Sequence, residues 1–234
     1  MARTIPDDRL RRLVECATEV FIDRGYRHTQ MADIAAALGV AKGTLYLYVE
    51  SKEALFDLVC RCADRDPPFE TPPKLPIPTP KPGATLKYIS ERLANNPLLP
   101  TLSAALTRTR VDDAGSELEG IVRALYQTIA RNRRGIKLMD RSAQYQPRLA
   151  AVWFKGARGD LVNALVRYLG ARIRQKRLRP VPDPRVAARL IIETIVTWAV
   201  HRHWDPSPQA IDDHVAEDTV VHFLTGALLK EDHA

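Results

Sequence analysis

The chain has 234 residues, 45% of them hydrophobic and 27% charged, a balance typical of a globular protein with one small and one larger domain. Its formal net charge is +7, and its three cysteines fit reduced thiols better than a disulfide framework. Residues 1–8 lack the apolar run of a secretion signal, and Glu193 interrupts the apolar stretch 190–200. We therefore expect a cytoplasmic protein without a membrane span.

The first quarter of the chain has the pattern of four short helices. Apolar residues recur at spacings of three and four over residues 10–21, which predicts an amphipathic helix that Gly25 ends. Thr29 is placed to cap a second helix at 30–38, and Ser51 is placed to cap a fourth. Four short helices, two of them joined by a tight glycine turn, predict a helix-turn-helix domain.

The third of these helices is the most informative part of the sequence. Gly39 can take a positive φ, so it ends the preceding helix and turns the chain at once. A helix over 41–49 would bury Leu45 and point Gly43 and Leu47 to the opposite side. So short a helix with so few apolar anchors cannot fold alone, and its outer face is therefore available to a partner.

These residues resemble the TetR family of bacterial transcriptional regulators. The resemblance rests on Thr29, Asp33-Ile34-Ala35, Gly39-Val40, Lys42-Gly43-Thr44-Leu45-Tyr46, Tyr48, and Ser51-Lys52-Glu53-Ala54-Leu55-Phe56. It covers the first quarter of the chain closely and the remainder only in its all-helical layout. The resemblance implies an all-α protein, with an amino-terminal helix-turn-helix domain of three or four helices followed by an antiparallel helical domain for ligand binding and dimerisation.

The resemblance also implies which residues contact a double-stranded DNA operator. The positions that match the family's phosphate and base contacts are Thr29, Gln30, Lys42, Gly43, Thr44, Tyr46, Leu47, Tyr48 and Lys52. Among them, Lys42 suits guanine acceptors in the major groove, and Leu47 can make only an apolar contact, such as one to a thymine methyl group. Gly43 would let the helix approach the DNA closely.

Charge alone does not mark the first domain as a DNA binder. Residues 1–65 carry ten basic and ten acidic side chains, so DNA affinity must come from individually placed donors and from dimerisation. Tyr46 and Tyr48 also fit packing aromatics, and Lys52 also fits a solvated charge. The residues alone leave these alternatives open.

Eight prolines in residues 67–82 mark a domain boundary, because proline forbids a regular helix and favours an extended, solvated chain. The predicted domains are 1–66, with the helix-turn-helix motif at 30–49, a linker at 67–83, and an effector-binding and dimerisation domain at 84–234. The linker fits a simple spacer, or a segment that packs across a partner subunit or braces the mouth of a pocket. Further helices are predicted at 84–95, 97–110, 116–133, 147–177, 184–201 and 211–229.

Two features of the second predicted domain suit a small-molecule effector. Aromatic residues on the helices that surround the effector cavity in the TetR family are Tyr88, Tyr126, Tyr145, Trp153 and Phe154. Each of them also fits ordinary core. Residues 131–179 hold fourteen basic side chains and two acidic ones, which fits either a solvated helix face or an anionic effector.

Apolar stripes on the last two predicted helices suit a dimer surface, although in a monomer they would cover the core. The expected interface residues are Leu190, Ile191, Thr194, Ile195, Trp198, Val220, Phe223 and Leu224. In the TetR family these two helices pair with their copies as a four-helix bundle. The resemblance therefore implies a homodimer on a palindromic operator.

The sequence thus predicts a ligand-responsive transcriptional regulator, in the first place a repressor that a small-molecule effector releases from its operator. A DNA-targeting enzyme and an activator of the same fold are the alternatives. The sequence has no nucleophile elbow around a serine and no metal triad, which disfavours an enzyme. Five of the six histidines lie in residues 201–234, but His201 and His203 diverge on a helix, so we expect no metal and no other cofactor. The effector, the operator sequence and the regulated genes are not encoded in a readable way.

Overall fold

A computed structural model of the protein describes residues 7–65, 68–71, 73–95, 100–207 and 210–230. Within these ranges the chain is helical, and its β-structure is a single isolated bridge between Val49 and Ile77. The predicted all-α class is confirmed. No helix in the described ranges has the length and apolar character needed to cross a membrane.

The chain divides into two compact units. The first unit comprises Met1–Asn95 and Arg134–Trp153, and the second comprises Asn96–Arg133 and Phe154–Ala234. The helices of the described ranges are α1 (Asp7–His28), α2 (Met31–Leu38), α3 (Lys42–Leu45), α4 (Lys52–Cys62), α5 (Ala84–Asn95), α6 (Pro100–Thr107), α7 (Ala114–Arg131), α8 (Arg133–Ala143), α9 (Pro147–Ala150), α10 (Arg158–Arg174), α11 (Pro184–Ala199) and α12 (Asp213–Leu228). A π-helical segment, Ala151–Ala157, precedes α10, and a 3₁₀ turn, His201–Trp204, follows α11.

Most of the predicted helices are present with similar bounds. The helix at 84–95 is confirmed in full as α5, and those at 184–201 and 211–229 are confirmed as α11 and α12 with slightly shorter bounds. The predicted start of the helix at 97–110 lies outside the described residues. The described part of that helix ends at Thr107.

Two predicted helices are wrong in their continuity. The helix at 116–133 ends at Arg131, because the side-chain amide of Asn132 donates a hydrogen bond to the Thr128 carbonyl (2.8 Å) while its own backbone leaves the helical region. A separate helix, α8, then begins at once. The helix at 147–177 is divided into α9, the π-helical segment and α10.

In the first unit, α1 packs against α2 and α4. Their facing side chains are fully buried, among them Leu13 and Phe21 of α1 and Ile34 of α2. The rings of Phe21 and Phe56 meet edge to face with centroids 5.3 Å apart. Gly25 (φ 72°, ψ 159°) breaks the helical path of α1 near its end, as predicted.

Charged side chains contribute to holding helix α8 in the first unit. The carboxylate of Asp64 accepts hydrogen bonds from the backbone amides of Arg134 and Gly135, each at 3.0 Å, and burial raises the pKa of this carboxyl group. The guanidinium of Arg141 donates to the carbonyls of Ile22 (3.2 Å) and Asp23 (2.6 Å) at the end of α1. Part of the basic stretch 131–179 is therefore structural.

In the second unit, a buried ion pair lies among helices α6, α7 and α10. Arg172 is 1% exposed, and its guanidinium donates to both carboxylate oxygens of Glu117 at 2.7 and 3.0 Å. It also donates to the Ala105 carbonyl at 2.7 Å. Hydrogen bonds to Glu117 raise the pKa of Arg172 above its usual value.

Candidate nucleic-acid interface

The turn between α2 and α3 has the geometry that the sequence predicts. Gly39 adopts φ 72° and ψ 34°, and its amide donates to the Ala36 carbonyl (3.1 Å), while the amide of Val40 donates to the Ala35 carbonyl (3.0 Å). These bonds satisfy the last carbonyls of α2 and set the direction of α3. The predicted glycine turn is confirmed.

The start of α2 differs from the prediction, because Gln30 and not Thr29 stands at the helix N-terminus. The amide of Gln30 donates to the carboxylate of Asp33 (2.8 Å), and Asp33 pairs with Arg24 (2.7 Å). The hydroxyl of Thr29 instead donates to the Gly25 carbonyl (2.8 Å), and the residue is fully buried. Its side chain therefore cannot reach DNA in this geometry, whereas the side chain of Gln30 is exposed.

The regular α-helical part of α3 is shorter than the predicted 41–49. Beyond Leu45 the chain tightens into bonds between residues three apart, from the Tyr46 amide to the Gly43 carbonyl and from the Leu47 amide to the Thr44 carbonyl, both at 3.2 Å. The tighter winding accompanies the burial of two consecutive residues, Tyr48 and Val49.

The outer face of α3 nevertheless matches the prediction. Leu45 is fully buried, whereas Leu47 is 61% and Tyr46 is 42% exposed. Lys42 and Gly43 are exposed beside them, and Thr44 is half-buried. A cation, a backbone without a side chain, a phenol and one aliphatic group thus share one open surface.

Tyr48 and Lys52 are engaged within the domain. Tyr48 is only 5% exposed, which favours the packing alternative for its ring. The ammonium of Lys52 donates to the carbonyls of Tyr26 (3.1 Å) and Thr29 (2.9 Å) and lies 4.5 Å from the centre of the Tyr26 ring. Lys52 therefore ties the end of α1 to the start of α4 and is not merely a solvated charge.

The start of α4 is held by a cap and by a tyrosine. The hydroxyl of Ser51 accepts a hydrogen bond from the Ala54 amide (3.1 Å), so the predicted cap is confirmed. The carboxylate of Glu53 accepts a bond from the Tyr26 hydroxyl (2.8 Å). Bonds from its own amide and from Tyr26 hold the pKa of Glu53 below its usual range, while burial raises the pKa of Tyr26.

The proline-rich segment is not simply solvated where the structure describes it. The Ile77 amide donates to the Tyr48 carbonyl (2.8 Å), and the Ile77 carbonyl accepts from the Glu50 amide (3.0 Å). The amide and hydroxyl of Thr79 bond to the Glu50 carboxylate (2.8 Å) and the Ser51 hydroxyl (2.9 Å). These contacts were not predicted, although the alternation Pro-Ile-Pro-Thr-Pro shows that only Ile77 and Thr79 can donate from their amides there.

The five aromatic residues expected at an effector cavity are divided between the two units. In the first unit, the guanidinium carbon of Arg61 lies 4.0 Å from the centre of the Tyr88 ring, and the rings of Tyr145 and His28 meet edge to face with centroids 4.9 Å apart. The indole nitrogen of Trp153 donates a hydrogen bond to the Asp140 carboxylate (2.6 Å). In the second unit, Tyr126 is buried core and Phe154 is half-buried.

A cavity of about 360 Å³ lies within the second unit. It is lined by Leu102, Ser103, Leu106, Asp160, Asn163, Ala164 and Arg167, and thus by none of the expected aromatics. Its wall carries one cation, one carboxylate and several apolar groups. No group of three or more histidine, cysteine or acidic side chains that could hold a metal ion occurs in the described ranges.

The residues expected at a dimer surface are divided between core and surface. Ile191 and Ile195 of α11 are buried within the protomer, where α11 packs against α7, α10 and α12. Val220 and Leu224 of α12 are also buried, and α12 packs against α7 and α11. Thr194 and Trp198 are half-buried. The large apolar side chains of α11 and α12 that stay exposed are Val186, Leu190, Val215 and Phe223, and we call these four the apolar patch.

The helix-turn-helix segment of the chain is similar in sequence to known regulators. Residues 13–59 match the sequence profile described as bacterial regulatory proteins, tetR family. The chain is 52% identical over 42 residues to the HTH-type transcriptional repressor DhaR of Mycobacterium sp. strain GP1, which is 18% of this chain and 21% of DhaR. The match thus spans only about a fifth of that relative.

Solved structures share the helical architecture over almost the whole chain. The ketosteroid transcriptional regulator KstR2 of Mycobacterium tuberculosis superposes with a TM-score of 0.58 and 19% identity, covering 97% of this chain and 98% of that one. AibR, in complex with isovaleryl coenzyme A and operator DNA, gives a TM-score of 0.53 and 19% identity over 93% of this chain and 98% of its own. At this identity the likeness concerns the fold. Residues 13–59, which span the helix-turn-helix, thus match the tetR family of bacterial regulatory proteins.

Proposed function

We propose that this protein is a cytoplasmic transcriptional repressor that binds a palindromic DNA operator as a homodimer and leaves it when a small-molecule effector binds. The outer face of α3 carries the proposal. Lys42 and Gly43 of α3 are exposed, as are Tyr46 and Leu47 directly after it, whereas Leu45 is buried. A short helix presented in this way by a helix-turn-helix domain fits the major groove of DNA.

The chemistry of the exposed side chains divides their proposed roles. Lys42 suits the acceptors of guanine, and Leu47 suits a thymine methyl group. Gln30, Thr44 and Tyr46 carry hydrogen-bonding groups that suit phosphate oxygens, which position a protein on DNA without reading its sequence. Two of the three N–H donors of the Lys52 ammonium bond to carbonyls of its own domain, so Lys52 can form at most one further hydrogen bond to a phosphate.

The apolar patch supports the homodimer. Leu190 is 60% and Phe223 is 71% exposed, and burial of such side chains against a second copy would remove apolar surface from water. A two-fold dimer repeats α3 in two half-sites, which matches a palindrome read about one helical turn (~34 Å) apart. Dimerisation also offsets the neutral charge of residues 1–65 by doubling the number of contacts.

An anionic effector remains our proposal for the ligand. Several basic side chains near the end of α10 are exposed, among them Arg174, Lys176 and Arg177. The fold neighbour AibR was solved with isovaleryl coenzyme A, so acyl coenzyme A thioesters are the first compounds to test. Calorimetric titration in which only neutral or cationic compounds bind would count against this proposal.

A pair of glycine substitutions tests the proposed DNA surface. A Cβ at Gly43 would meet no protein atom within 4 Å, and the same holds for Gly120 in α7. Gly43→Ala and Gly120→Ala should therefore both fold and each raise stability slightly, by roughly 0.5–1 kcal/mol. Only Gly43→Ala should weaken binding to DNA from upstream of the protein's own gene, by about tenfold in a gel-shift assay, because the added methyl group keeps α3 from a close approach.

Equal DNA binding by Gly43→Ala and Gly120→Ala would exclude α3 from the interface. The direction of regulation is tested in cells with a reporter gene behind the bound DNA. Deletion of the regulator should raise transcription of a repressed gene, and a fall would instead identify an activator. Addition of the effector to the gel shift should release the DNA.

A further inference from the structure

We propose that residues 73–82, here called the proline strap, are a brace for the end of α3, and that Ile77 is a positioning residue for DNA binding. The proposal rests on the proposed function, because it concerns the same DNA-reading helix. In that proposal Lys42 and Leu47 contact the DNA bases. Ile77 acts on them indirectly, through the backbone of Tyr48 and Glu50 that follows α3.

Part of the backbone that follows α3 is hydrogen-bonded from outside the helix-turn-helix. After Leu47, the Tyr48 carbonyl and the Glu50 amide lie in the irregular connection between α3 and α4. Both are bonded by the same residue, since the Ile77 amide donates to Tyr48 (2.8 Å) and the Ile77 carbonyl accepts from Glu50 (3.0 Å). Helix ends need such outside partners, because their terminal carbonyls have none within the helix.

The composition of the strap suits this role. Residues 76–80 read Pro-Ile-Pro-Thr-Pro, so only Ile77 and Thr79 carry amide donors. Both donors bond to the connection between α3 and α4, since Thr79 donates to the Glu50 carboxylate at 2.8 Å. The prolines restrict the free chain to extended conformations, so little entropy is lost when the strap docks.

Helix α4 anchors the chain on both sides of the strap. The thiol of Cys62 donates to the Pro68 carbonyl (3.4 Å) at one end, and the Thr85 hydroxyl donates to the Asp57 carboxylate (2.8 Å) at the other. The Thr79 hydroxyl also bonds to Ser51, the cap of α4 (2.9 Å). The strap thereby holds the end of α3 in a fixed position against the start of α4, and this fixes the direction in which Leu47 points.

The test is Ile77→Pro, which removes the amide donor and keeps an apolar residue in an extended chain. Thr71→Pro, at an exposed position of the same segment, is the matched control, and Ile77→Val keeps the amide and should behave as wild type. Hydrogen exchange of the Glu50 amide, measured on the free protein, should accelerate about tenfold in Ile77→Pro alone. Thr79→Pro, which removes the second donor, repeats the test should Ile77→Pro fail to fold.

Binding to operator DNA and to unrelated DNA then separates positioning from mere stability. Operator affinity should fall about five- to tenfold in Ile77→Pro, the size expected for one lost hydrogen bond, while binding to unrelated DNA, which depends on charge, should not change. An unchanged exchange rate of the Glu50 amide in Ile77→Pro would contradict the proposed brace. Faster exchange with an unchanged preference for the operator would contradict the positioning role of Ile77. If the wild-type protein showed no preference for the operator, the proposed function would be wrong. The exchange rate of the Glu50 amide would still test the brace independently.

Discussion

Leu47, just after α3, and Leu190 on α11 are almost equally exposed, at 61% and 60%, yet their neighbours differ. Leu47 is near the exposed Lys42, Gly43 and Tyr46 in sequence, so it is a single aliphatic group among residues that can hydrogen-bond. Leu190 lies one helical turn from the exposed Val186, and on α12 the apolar Phe223 is 71% exposed. Exposure alone therefore does not identify a partner. The chemistry of the adjacent side chains suits DNA in the first case and an apolar protein surface in the second.

The two regions also differ in how they are held together. The helix-turn-helix consists of short elements fixed at their ends, by the Gly39 turn, by the Ser51 cap and by the strap residue Ile77. The second unit consists of long helices fixed along their length, with the Arg172–Glu117 pair buried among them. Short elements depend on local bonds, and long ones on burial.

The largest effect is expected from the buried ion pair, which distinguishes the second unit most clearly. Glu117→Ala leaves the guanidinium of Arg172 buried without its carboxylate and should lower the free energy of unfolding by about 3–5 kcal/mol in urea titrations. Glu119→Ala on the same helix is the control, since Glu119 forms only a surface pair with Arg123 (3.1 Å) worth less than ~1 kcal/mol. Equal losses of unfolding free energy in Glu117→Ala and Glu119→Ala would show that burial does not determine how much the Arg172–Glu117 pair contributes to stability.

The second prediction tests the apolar patch. The double substitution of Leu190→Asp and Phe223→Asp should leave the protomer folded, because both side chains are exposed, but should halve the mass measured by light scattering. Operator affinity should fall about a hundredfold, since one half-site must then bind alone. Ala104→Asp, on an exposed position of α6, is the control. A doubly substituted chain that keeps the dimer mass would place the interface elsewhere.

The third prediction concerns a local bond of the helix-turn-helix. Ser51→Ala removes the cap of α4 and should lower the free energy of unfolding by about 1 kcal/mol. Ser90→Ala removes a hydroxyl that only bonds back to the Leu86 carbonyl of its own helix (2.9 Å), so thermal unfolding should detect little change. Similar shifts in the two variants would argue against capping as the source of the effect.

The smallest effect is expected at Leu47, and it concerns sequence preference more than affinity. Leu47→Ala should weaken operator binding by on the order of threefold and relax the preference at one base pair in each half-site. Selection of binding sites from a random DNA pool measures this directly. Leu47→Met, which keeps an apolar contact, should retain the preference, and an unchanged site in Leu47→Ala would exclude a base contact from this residue.

Much of the helix-turn-helix was predictable because its determinants are local in sequence. Gly39 and Ser51 act on backbone groups within four residues, and their chemistry permits few other roles. Thr29 was misjudged because its hydroxyl had a competing local acceptor, the Gly25 carbonyl, that a capping pattern does not reveal. The structural role of Lys52 was not predicted, because the two carbonyls that it bonds lie more than twenty residues away in the sequence.

The sequence by itself determined the all-α class, the helix-turn-helix and the outward face of α3, since periodicity and turn chemistry operate over a few residues. Tertiary structure alone decided which apolar residues of α11 and α12 are core and which form the apolar patch. It also decided that Ile77 lies against Tyr48 and that Arg172 lies against Glu117, because both pairs join residues distant along the chain. An apolar stripe records that a side chain avoids water, whereas the surface that excludes the water is chosen only when the helices pack.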